Sequence, residues 1–394
     1  MAQQEIPDSN LPEQISSPEF TLRLDGSVAA GTGQRTSPAV APQTEELSTH
    51  ELTILIPARN EAENLPGCLE SLLGQSEPGF LLGDQWHIVV IDDDSTDDTY
   101  AIAEQFAVAH AGLSVLRAKQ LTPRRNGFTG KNAACWLGAS QPVAQTAKWL
   151  LFTDADTLHE PGSTHRAIVE AERHELGLLS YSPRQITTGL VQRGLLPLVF
   201  SELASTYPPK RVSDPSDPVA AANGQFLLVQ RQAYADVGGH QAVASAVLED
   251  VALARLLKRR HAIRLRYAPD AVSTRMYRGV GDMVEGWTKN LALLFGNPLF
   301  LAAGTLLNFV LLLGLPLLPG FMPSLQFWQM VAIGVLWLRV VLRYFSRVGR
   351  SHAPLGDRML SVLALPLFAF LLVRSWQRVK VAKSVTWKGR EYHT

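Results

Sequence analysis

Short apolar runs separated by polar segments organise the chain from residue 52 onward. The runs at 52–56 and 87–91 are rich in β-branched residues, and each ends in polar residues followed by a helical pattern. A third run of strand length lies at 149–152. This alternation predicts an α/β domain over residues 51–291, with a mostly parallel sheet and helices on both of its faces.

The composition turns apolar from Pro298 onward. Residues 298–318 and 321–338 carry no charge, and each run is long enough to cross a hydrocarbon core of about 30 Å. A third run, 359–373, is shorter and contains Pro366, which favours a re-entrant or interfacial segment over a spanning one. We therefore expect a membrane domain over residues 292–394 that ends in a basic tail.

Basic residues predict the orientation of this membrane domain. One group lies between the second and third apolar runs and another follows the third run: Arg339, Arg343, Arg347, Arg350 and Arg358, then Arg374, Arg378, Lys380, Lys383, Lys388 and Arg390. Cytoplasmic segments carry such an excess of Lys and Arg. The chain is thus predicted to be an integral membrane protein with its α/β domain on the cytoplasmic face.

The overall composition excludes several classes of protein. Lys+Arg and Asp+Glu both number 36, for a formal charge of +0, so no global basic field favours nucleic-acid binding. Cys68 and Cys135 lie far apart without CxxC spacing, which argues against a disulfide scaffold or a zinc site. Residues 1–50 are polar and lack the apolar stretch of a signal peptide, so we expect a disordered tail.

Acidic residues cluster after two of the predicted strands. The segment Asp92-Asp93-Asp94-Ser95-Thr96-Asp97-Asp98 precedes a helix, at the position where α/β sheets bind ligands. A solvated turn with a helix cap is the alternative. An EF-hand fits less well, because Asp97 stands where that calcium loop requires Gly.

The second acidic site is Thr153-Asp154-Ala155-Asp156, which follows the strand at 149–152. Its two carboxylates lie on one side of an extended segment, where they can meet a hard cation such as Mg²⁺ or Mn²⁺. His159 and His165 are nearby, and we expect them to be surface residues rather than ligands.

Two further segments carry charges beside helix starts. Gly127-Phe128-Thr129-Gly130-Lys131-Asn132 lacks the Walker A spacing, but Lys131 could place a positive charge on a diphosphate; an exposed loop lysine is the alternative. Glu249-Asp250 precedes the helical stretch 251–258. These acids could serve only the helix dipole, or one could be a general base.

In this order and spacing the motifs resemble the nucleotide-diphosphosugar glycosyltransferases of family 2, which have the GT-A fold. The segment 57–61 is similar to the family's P-x-x-N-E, and 92–97 to the base-binding D-D-x-S-x-D. The segment 154–156 is similar to the metal-binding DxD, and 249–250 to the E-D of the catalytic base. The resemblance covers about residues 52–291.

Finer features resemble the carotenoid (diaponeurosporenoate-type) and hopene-associated members of that family. These are the segments 127–132, 221–226, 286–290 and 387–390. Processive members carry Q-x-x-R-W, of which Trp287 alone is present here. The resemblance therefore implies a non-processive enzyme with a lipid-like, isoprenoid acceptor.

The resemblance also implies roles for individual residues and a reaction that inverts the sugar. The implied roles are donor binding for Pro57, Glu61, Asp93, Lys131 and Asp154; Mg²⁺ or Mn²⁺ binding for Asp154 and Asp156; general base for Asp250; and acceptor contact or gating for Glu249, Trp287 and Lys289. The expected partners are a nucleotide sugar, such as a UDP-sugar, a lipid acceptor and the membrane, and no nucleic acid.

Three questions stay open from the sequence. The enzyme could transfer to a polyprenyl phosphate, whose anionic oxygen would need a base less. The chain could instead be a catalytically silent scaffold that binds nucleotide sugars, although retention of both DxD and Glu249-Asp250 argues against this. The apolar segment 190–207 could be an interfacial helix that lines the acceptor's route, or a buried core helix.

Overall fold

The computed structural model describes residues 50–75, 77–118 and 127–382, together with the backbone of 384–387 and 390–393. Apart from His50, the tail predicted at residues 1–50 lies outside the described residues. The strands are β1 (His50–Ala58), β2 (Trp86–Asp92), β3 (Leu113–Arg117), β4 (Ala147–Phe152), β5 (Thr157–His159), β6 (Leu178–Ser182), β7 (Arg184–Gln185), β8 (Leu227–Gln230), β9 (Ile263–Tyr267), β10 (Val272–Thr274), β11 (Ser384–Trp387) and β12 (Arg390–His393).

Helices alternate with strands as far as β10, and a series of helices then leads to β11 and β12. They are α1 (Leu65–Leu73), α2 (Thr99–Ala109), α3 (Gly130–Ala139), α4 (Pro142–Gln145), α5 (Ser163–Arg173), α6 (Leu190–Thr206), α7 (Pro209–Ser213), α8 (Arg231–Asp236), α9 (Gly239–Ala242), α10 (Glu249–Lys258), α11 (Val280–Leu294), α12 (Pro298–Gly314), α13 (Leu318–Phe321), α14 (Phe327–Val348) and α15 (Leu355–Trp376).

The central sheet confirms the predicted α/β class. Among the described residues, seven strands pair in the order β3-β2-β1-β4-β8-β6-β9. Pairing is parallel from β3 to β4 and between β6 and β9, and antiparallel on both sides of β8. The mostly parallel sheet was therefore predicted correctly.

Alternate residues of the central strands bury against helices on opposite faces of the sheet, as residues with a period of two must. On β1, Ile54 and Ile56 pack in the same cluster as Leu65 and Leu69 of α1. Leu55 packs on the other face, in the cluster that contains residues of α3 and α10. Apolar burial on both faces fixes the register, because a slip by one residue would exchange the two sets.

The segment 190–207 is a core helix, the second of its two interpretations. Its helix α6 buries Leu195, Leu198 and Val199 in a third apolar cluster, which also contains residues of α11, α12, α14 and α15. Pro197 lies within this helix without ending it.

Two helical segments are long and apolar enough to cross a membrane among the described residues, by length and composition alone: Pro298–Phe321 and Leu355–Val381. The first contains the predicted span 298–318. The run predicted at 321–338 lies mostly on α14, which begins only at Phe327 and continues to Val348. The run predicted at 359–373 lies within α15, whose 22 residues contain Pro366 without a break. The crossings themselves stay predictions.

Candidate active site

Parallel pairing brings the ends of β1, β2 and β4 to one edge of the sheet. The amide of Asp93 donates to the carbonyl of Ala58 (2.8 Å), and the amide of Thr153 donates to the carbonyl of Leu55 (3.1 Å). The acidic segments after β2 and β4 therefore begin on either side of the end of β1.

The loop after β1 is bound to the loop after β2. One guanidinium nitrogen of Arg59 donates to the carbonyls of Asp93 (2.6 Å) and Asp94 (2.9 Å). Asp94 has a φ of 61°, in the left-handed region that favours glycine and that aspartate tolerates better than most residues. The turn after β2 therefore has a backbone conformation that glycine would adopt without steric cost.

Glu61 lies in the loop after β1, at this edge of the sheet. Its amide donates to the hydroxyl of Thr99 (2.8 Å), and its carboxylate accepts a hydrogen bond from the amide of Asn64 (2.7 Å). Pro57, at the other side of the loop, lines a narrow cleft together with Lys131, Asp154, Glu249 and Asp250. The structure thus brings together five residues predicted from four separate motifs.

Lys131 joins two of these motifs. Thr129 accepts a hydrogen bond from the amide of Asn132 and so caps α3, which carries Lys131. The ammonium nitrogen of Lys131 lies 2.7 Å from Oδ1 of Asp154 and 2.8 Å from Oε1 of Glu249. Burial alone would lower the pKa of Lys131, but the two carboxylates raise it well above its usual value. Lys131 therefore stays charged and partly neutralises both acids.

Asp250 is fixed by two backbone amides. Its Oδ2 accepts a hydrogen bond from the amide of Gly224 (2.9 Å) and its Oδ1 one from the amide of Val251 (2.8 Å). Burial, followed by the charge of Glu249, raises the pKa of Asp250 to about 6. At neutral pH the carboxylate is mostly ionised and still a better proton acceptor than an ordinary aspartate.

Asp154 and Asp156 lie on either side of Ala155 in the chain. Ala155 is buried in the core cluster, and the hydroxyl of Thr274 donates to the carbonyl of Asp156 (3.1 Å). Within the described ranges, no three His, Cys, Asp or Glu side chains are grouped so that they could hold a metal ion by themselves. Two carboxylates nevertheless fit an ion that takes its other oxygen ligands from a diphosphate and water, as Mg²⁺ commonly does.

Two predicted acceptor residues lie on α11. Trp287 is buried and packs against Phe200 and Tyr277, with ring centroids 6.2 and 5.9 Å away. Lys289 is half-buried on the same helix. Burial lowers its pKa, while the charges of Glu249 and Asp250 act to raise it.

The predicted surface position of His159 is wrong, because this residue lies on strand β5 and not at a helix start. Its ring is buried, with Nε2 3.1 Å from the hydroxyl of Thr153. Burial lowers the pKa of His159 to about 3, so the ring is neutral. His165 is half-buried and packs against Phe80.

Sequence reasoning missed two residues that position the site, Gly224 and Asn132. Gly224 supplies the amide that binds Asp250, and a Cβ there would lie 3.0 Å from the nitrogen of Lys131. The buried side chain of Asn132 donates to the carbonyls of Val243, Ala244 and Ala246, in the loop before α10. In the sequence, the segments 127–132 and 221–226 contributed only to the family resemblance. Their glycine and asparagine residues were the signal from which these positioning roles could have been predicted.

The chain is similar in sequence to known glycosyltransferases. The family model described as "Glycosyl transferase family 2" matches residues 53–237. A Staphylococcus haemolyticus protein named 4,4'-diaponeurosporenoate glycosyltransferase is 29% identical over 364 residues, which cover 88% of this chain and 89% of the relative. A protein of the same name from Staphylococcus aureus is 28% identical, over 86% and 88% of the two chains.

Among solved structures, the chain is similar to the mannosyltransferase PcManGT from Pyrobaculum calidifontis in complex with GDP-Man and Mn²⁺. The TM-score is 0.49 at 15% identity, and the match covers 86% of this chain and 89% of the other.

Proposed function

Because residues 53–237 of this chain are a glycosyl transferase family 2 domain, we propose that this glycosyltransferase moves a sugar from a nucleotide donor to a carotenoid-type isoprenoid acceptor at a membrane. The acceptor class is supported by relatives that match most of the chain and are named for diaponeurosporenoate, a carboxylate. The observation that carries the proposal is Asp250, held by two amides beside Lys131 and the acids of the cleft.

The donor is proposed to bind along the edge formed by β1, β2 and β4. Asp93, Glu61 and Pro57 would contact the nucleotide, and Lys131 lies where its charge can act on a diphosphate. Asp154 and Asp156 would hold Mg²⁺ or Mn²⁺, which stabilises the charge of the leaving diphosphate when bound. A UDP-sugar is the proposed donor, as the resemblance implies.

Asp250 is the proposed general base. When the acceptor's attacking group is a hydroxyl, Asp250 takes its proton as the oxygen bonds to the anomeric carbon and the nucleoside diphosphate departs from the opposite side. This single displacement inverts the anomeric configuration and forms no covalent enzyme intermediate. When the attacking group is a carboxylate, it is already ionised near neutral pH, and Asp250 has less to do.

The membrane arrangement is proposed to consist of two crossings and one helix at the interface. α14 returns to the α/β domain, because Arg347 near its end lies 2.5 Å from Glu202 of α6. α15 is bound to that domain at both ends. Near its start Asp357 pairs with Arg193 of α6 (2.8 Å), and near its end Ser375 accepts a hydrogen bond from the amide of Ala292 of α11 (2.8 Å).

These contacts favour α12 and α14 as an out-and-back hairpin, with α15 along the cytoplasmic side. The basic clusters around Arg347 and Arg378 then lie on one side of the membrane, as the charge rule requires. Composition alone would select α15 as a span instead. The contacts favour the interfacial position, because they bind both ends of α15 to the α/β domain.

The function is tested by comparing lipid extracts of cells with and without the protein by mass spectrometry. We expect a new isoprenoid lipid that carries one sugar residue in cells with the protein. Purified protein should release nucleoside diphosphate in equal amount with that product. Nucleotide-sugar binding without release of nucleoside diphosphate would identify the chain as a silent scaffold and contradict the proposal.

A further inference from the structure

Helix α15 has an apolar stripe on its exposed side. Leu355, Met359, Leu363 and Phe370 are each more than half exposed, and their spacing places them on one side of the helix. The opposite side packs into the third apolar cluster, in which Phe368 is buried. A helix that is apolar on both sides has to bury both, in protein or in lipid. The exposed stripe therefore indicates that this side of α15 contacts lipid.

Two arginines lie where this stripe ends. Arg374 comes one helical turn after Phe370, and Arg378 comes one turn after Arg374. Arg374 belongs to α15, and Arg378 belongs to the turn of helix that continues it over Gln377–Val381. In the part of the chain that the structure describes, neither guanidinium group pairs with an acid. Both charges are therefore available to a ligand.

A cavity of ≈ 490 Å³ lies between the end of α15 and α11. Arg374 and Arg378 line it from one side, and α11 contributes Val284, Glu285 and Lys289 from the other. Within the described lining, three cationic side chains thus surround a space that holds one carboxylate, that of Glu285. The cavity is suited to an anion.

An anionic phospholipid matches both the cavity and the stripe. Its phosphate fits between the two arginines, because guanidinium groups donate paired hydrogen bonds to phosphate oxygens. Its acyl chains would contact the apolar stripe, whose last member, Phe370, is one turn from Arg374. Basic pockets between helices on the cytoplasmic side of a membrane bind anionic headgroups in this way. A soluble phosphate compound would fill the cavity but leave the stripe exposed.

We propose that this cationic cavity binds the headgroup of an anionic phospholipid, such as phosphatidylglycerol, and so holds the junction of α11 and α15 at the bilayer surface. The amide of Ala292 on α11 donates to the hydroxyl of Ser375 on α15 and joins the two walls (2.8 Å). The described lining includes none of the residues proposed above to bind the donor or to act as the base. The bound phospholipid is therefore not the acceptor, and the inference rests only on the interfacial position proposed for α15.

The lipid preference is measured by native mass spectrometry of the purified full-length protein in detergent. The protein is titrated with dioleoyl phosphatidylglycerol or with dioleoyl phosphatidylcholine, which have the same acyl chains and differ in net headgroup charge. The wild-type protein should bind phosphatidylglycerol about tenfold or more tightly, because several cations contact the anionic headgroup. Equal affinities for the two lipids would overturn the proposal.

Two pairs of arginine substitutions locate this preference. Arg374→Gln combined with Arg378→Gln should bring the affinity ratio close to one. Unchanged binding of phosphatidylcholine and of a nucleotide sugar would show that this variant is folded. Arg339→Gln combined with Arg343→Gln is the matched control, because these arginines have the same spacing on α14, are exposed and do not line the cavity. The control should keep the wild-type ratio, and equal losses in both double variants would show that the preference belongs to the basic surface in general.

A single substitution in the cavity should act in the opposite direction. Glu285→Gln removes the one carboxylate of the described lining at an exposed position, so the preference for phosphatidylglycerol should increase. An unchanged or smaller preference would contradict the placement of the headgroup in this cavity.

A soluble phosphate compound is the competing ligand. Glycerol 3-phosphate carries the phosphate without acyl chains, and it should displace phosphatidylglycerol only at roughly hundredfold or higher concentration, because it leaves the apolar stripe uncovered. Displacement at equal concentration would identify the cavity as a site for a soluble phosphate and overturn the proposal. Failure of the proposed sugar transfer would appear elsewhere, as absence of any glycosylated lipid in the cell extracts while the preference for phosphatidylglycerol persists.

Discussion

The ammonium nitrogen of Lys131 lies 2.7 Å from Oδ1 of Asp154, and the same nitrogen contacts Glu249 at 2.8 Å. One lysine thus connects the acidic motif after β4 with the acids at the start of α10. The shared ammonium group holds the two carboxylates close together. It also places a positive charge where the diphosphate of a donor is proposed to bind.

Replacing Lys131 by Met should lower turnover by roughly 10²-fold or more, since the diphosphate loses a cationic contact and two nearby carboxylates lose their shared partner. Steady-state release of nucleoside diphosphate at saturating donor measures this effect.

Lys148→Met is the matched control for that substitution. Lys148 also contacts two acids, Glu51 and Glu172, but its side chain is 51% exposed and far from the strand ends that form the cleft. Exposed pairs of this kind contribute little, so turnover should stay at the wild-type level. Equal losses in both variants would contradict a specific role for Lys131.

Asp156→Ala should abolish donor turnover and metal-dependent nucleotide binding, because one of the two proposed metal-binding carboxylates is removed. Calorimetric titration of nucleoside diphosphate with and without Mg²⁺ or Mn²⁺ measures the binding. Asp270→Ala, at an exposed position, should behave as wild type. Full activity of the wild-type enzyme in EDTA would disprove the metal requirement.

The pH dependence of turnover should report the ionisation of Asp250. Its pKa in the folded protein is raised to about 6, so with a hydroxylated acceptor turnover should fall as pH decreases through about 6. Asp250→Asn should have low activity, and its turnover should not fall further as pH decreases through about 6. A wild-type profile that is flat from pH 5 to about 8 would contradict the assignment.

The same raised pKa gives a prediction for stability. Relative to an ordinary carboxyl, protonated Asp250 favours the folded state, and this contribution is lost as pH rises through about 6. At neutral pH the ionised group is a net cost. Asp250→Asn removes this pH-dependent contribution but leaves one of the two backbone amides without an acceptor. The difference in melting temperature between the wild type and Asp250→Asn, measured in thermal scans followed by circular dichroism, should therefore shift in favour of the variant as pH rises through about 6. A difference that does not change with pH would contradict the environment derived for this carboxyl.

Membrane topology is tested by reporter fusions. A reporter after Thr394 should read cytoplasmic, because two crossings return the chain to the side of the α/β domain. A reporter inserted at Pro323, between α13 and α14, should read on the opposite side. A fusion after Thr394 that reads periplasmic or lumenal would show an odd number of crossings.

Local pattern was sufficient to predict the sheet and the acidic edge. Burial on both faces of a parallel sheet leaves continuous apolar strands, and the acids at Asp93 and Asp154 follow two of them directly. The strand order then brings them together. The chain's periodicity thus predicted the strands that precede these acids, while the resemblance implied the roles of the acids and the structure supplied the strand order.

Contacts between distant segments could not be predicted in the same way. The amide of Gly224 binds Asp250 across 26 residues, and the partners of Lys131 come from two other motifs. The helix boundaries after Pro298 also differ from the apolar runs. α14 extends beyond the uncharged run 321–338 as far as Val348, and Arg347 near its end pairs with Glu202. Tertiary ion pairs of this kind leave no periodic signal.

The central claim is that Asp250 is the base at this site, and one kinetic comparison tests it most directly. Turnover of Asp250→Asn and Glu249→Gln is measured on a purified hydroxylated isoprenoid acceptor, at saturating donor and metal ion. Asp250→Asn should lose roughly 10² to 10⁴-fold in turnover with nearly unchanged donor affinity, and Glu249→Gln should lose less. Wild-type turnover by Asp250→Asn under these conditions would contradict the account.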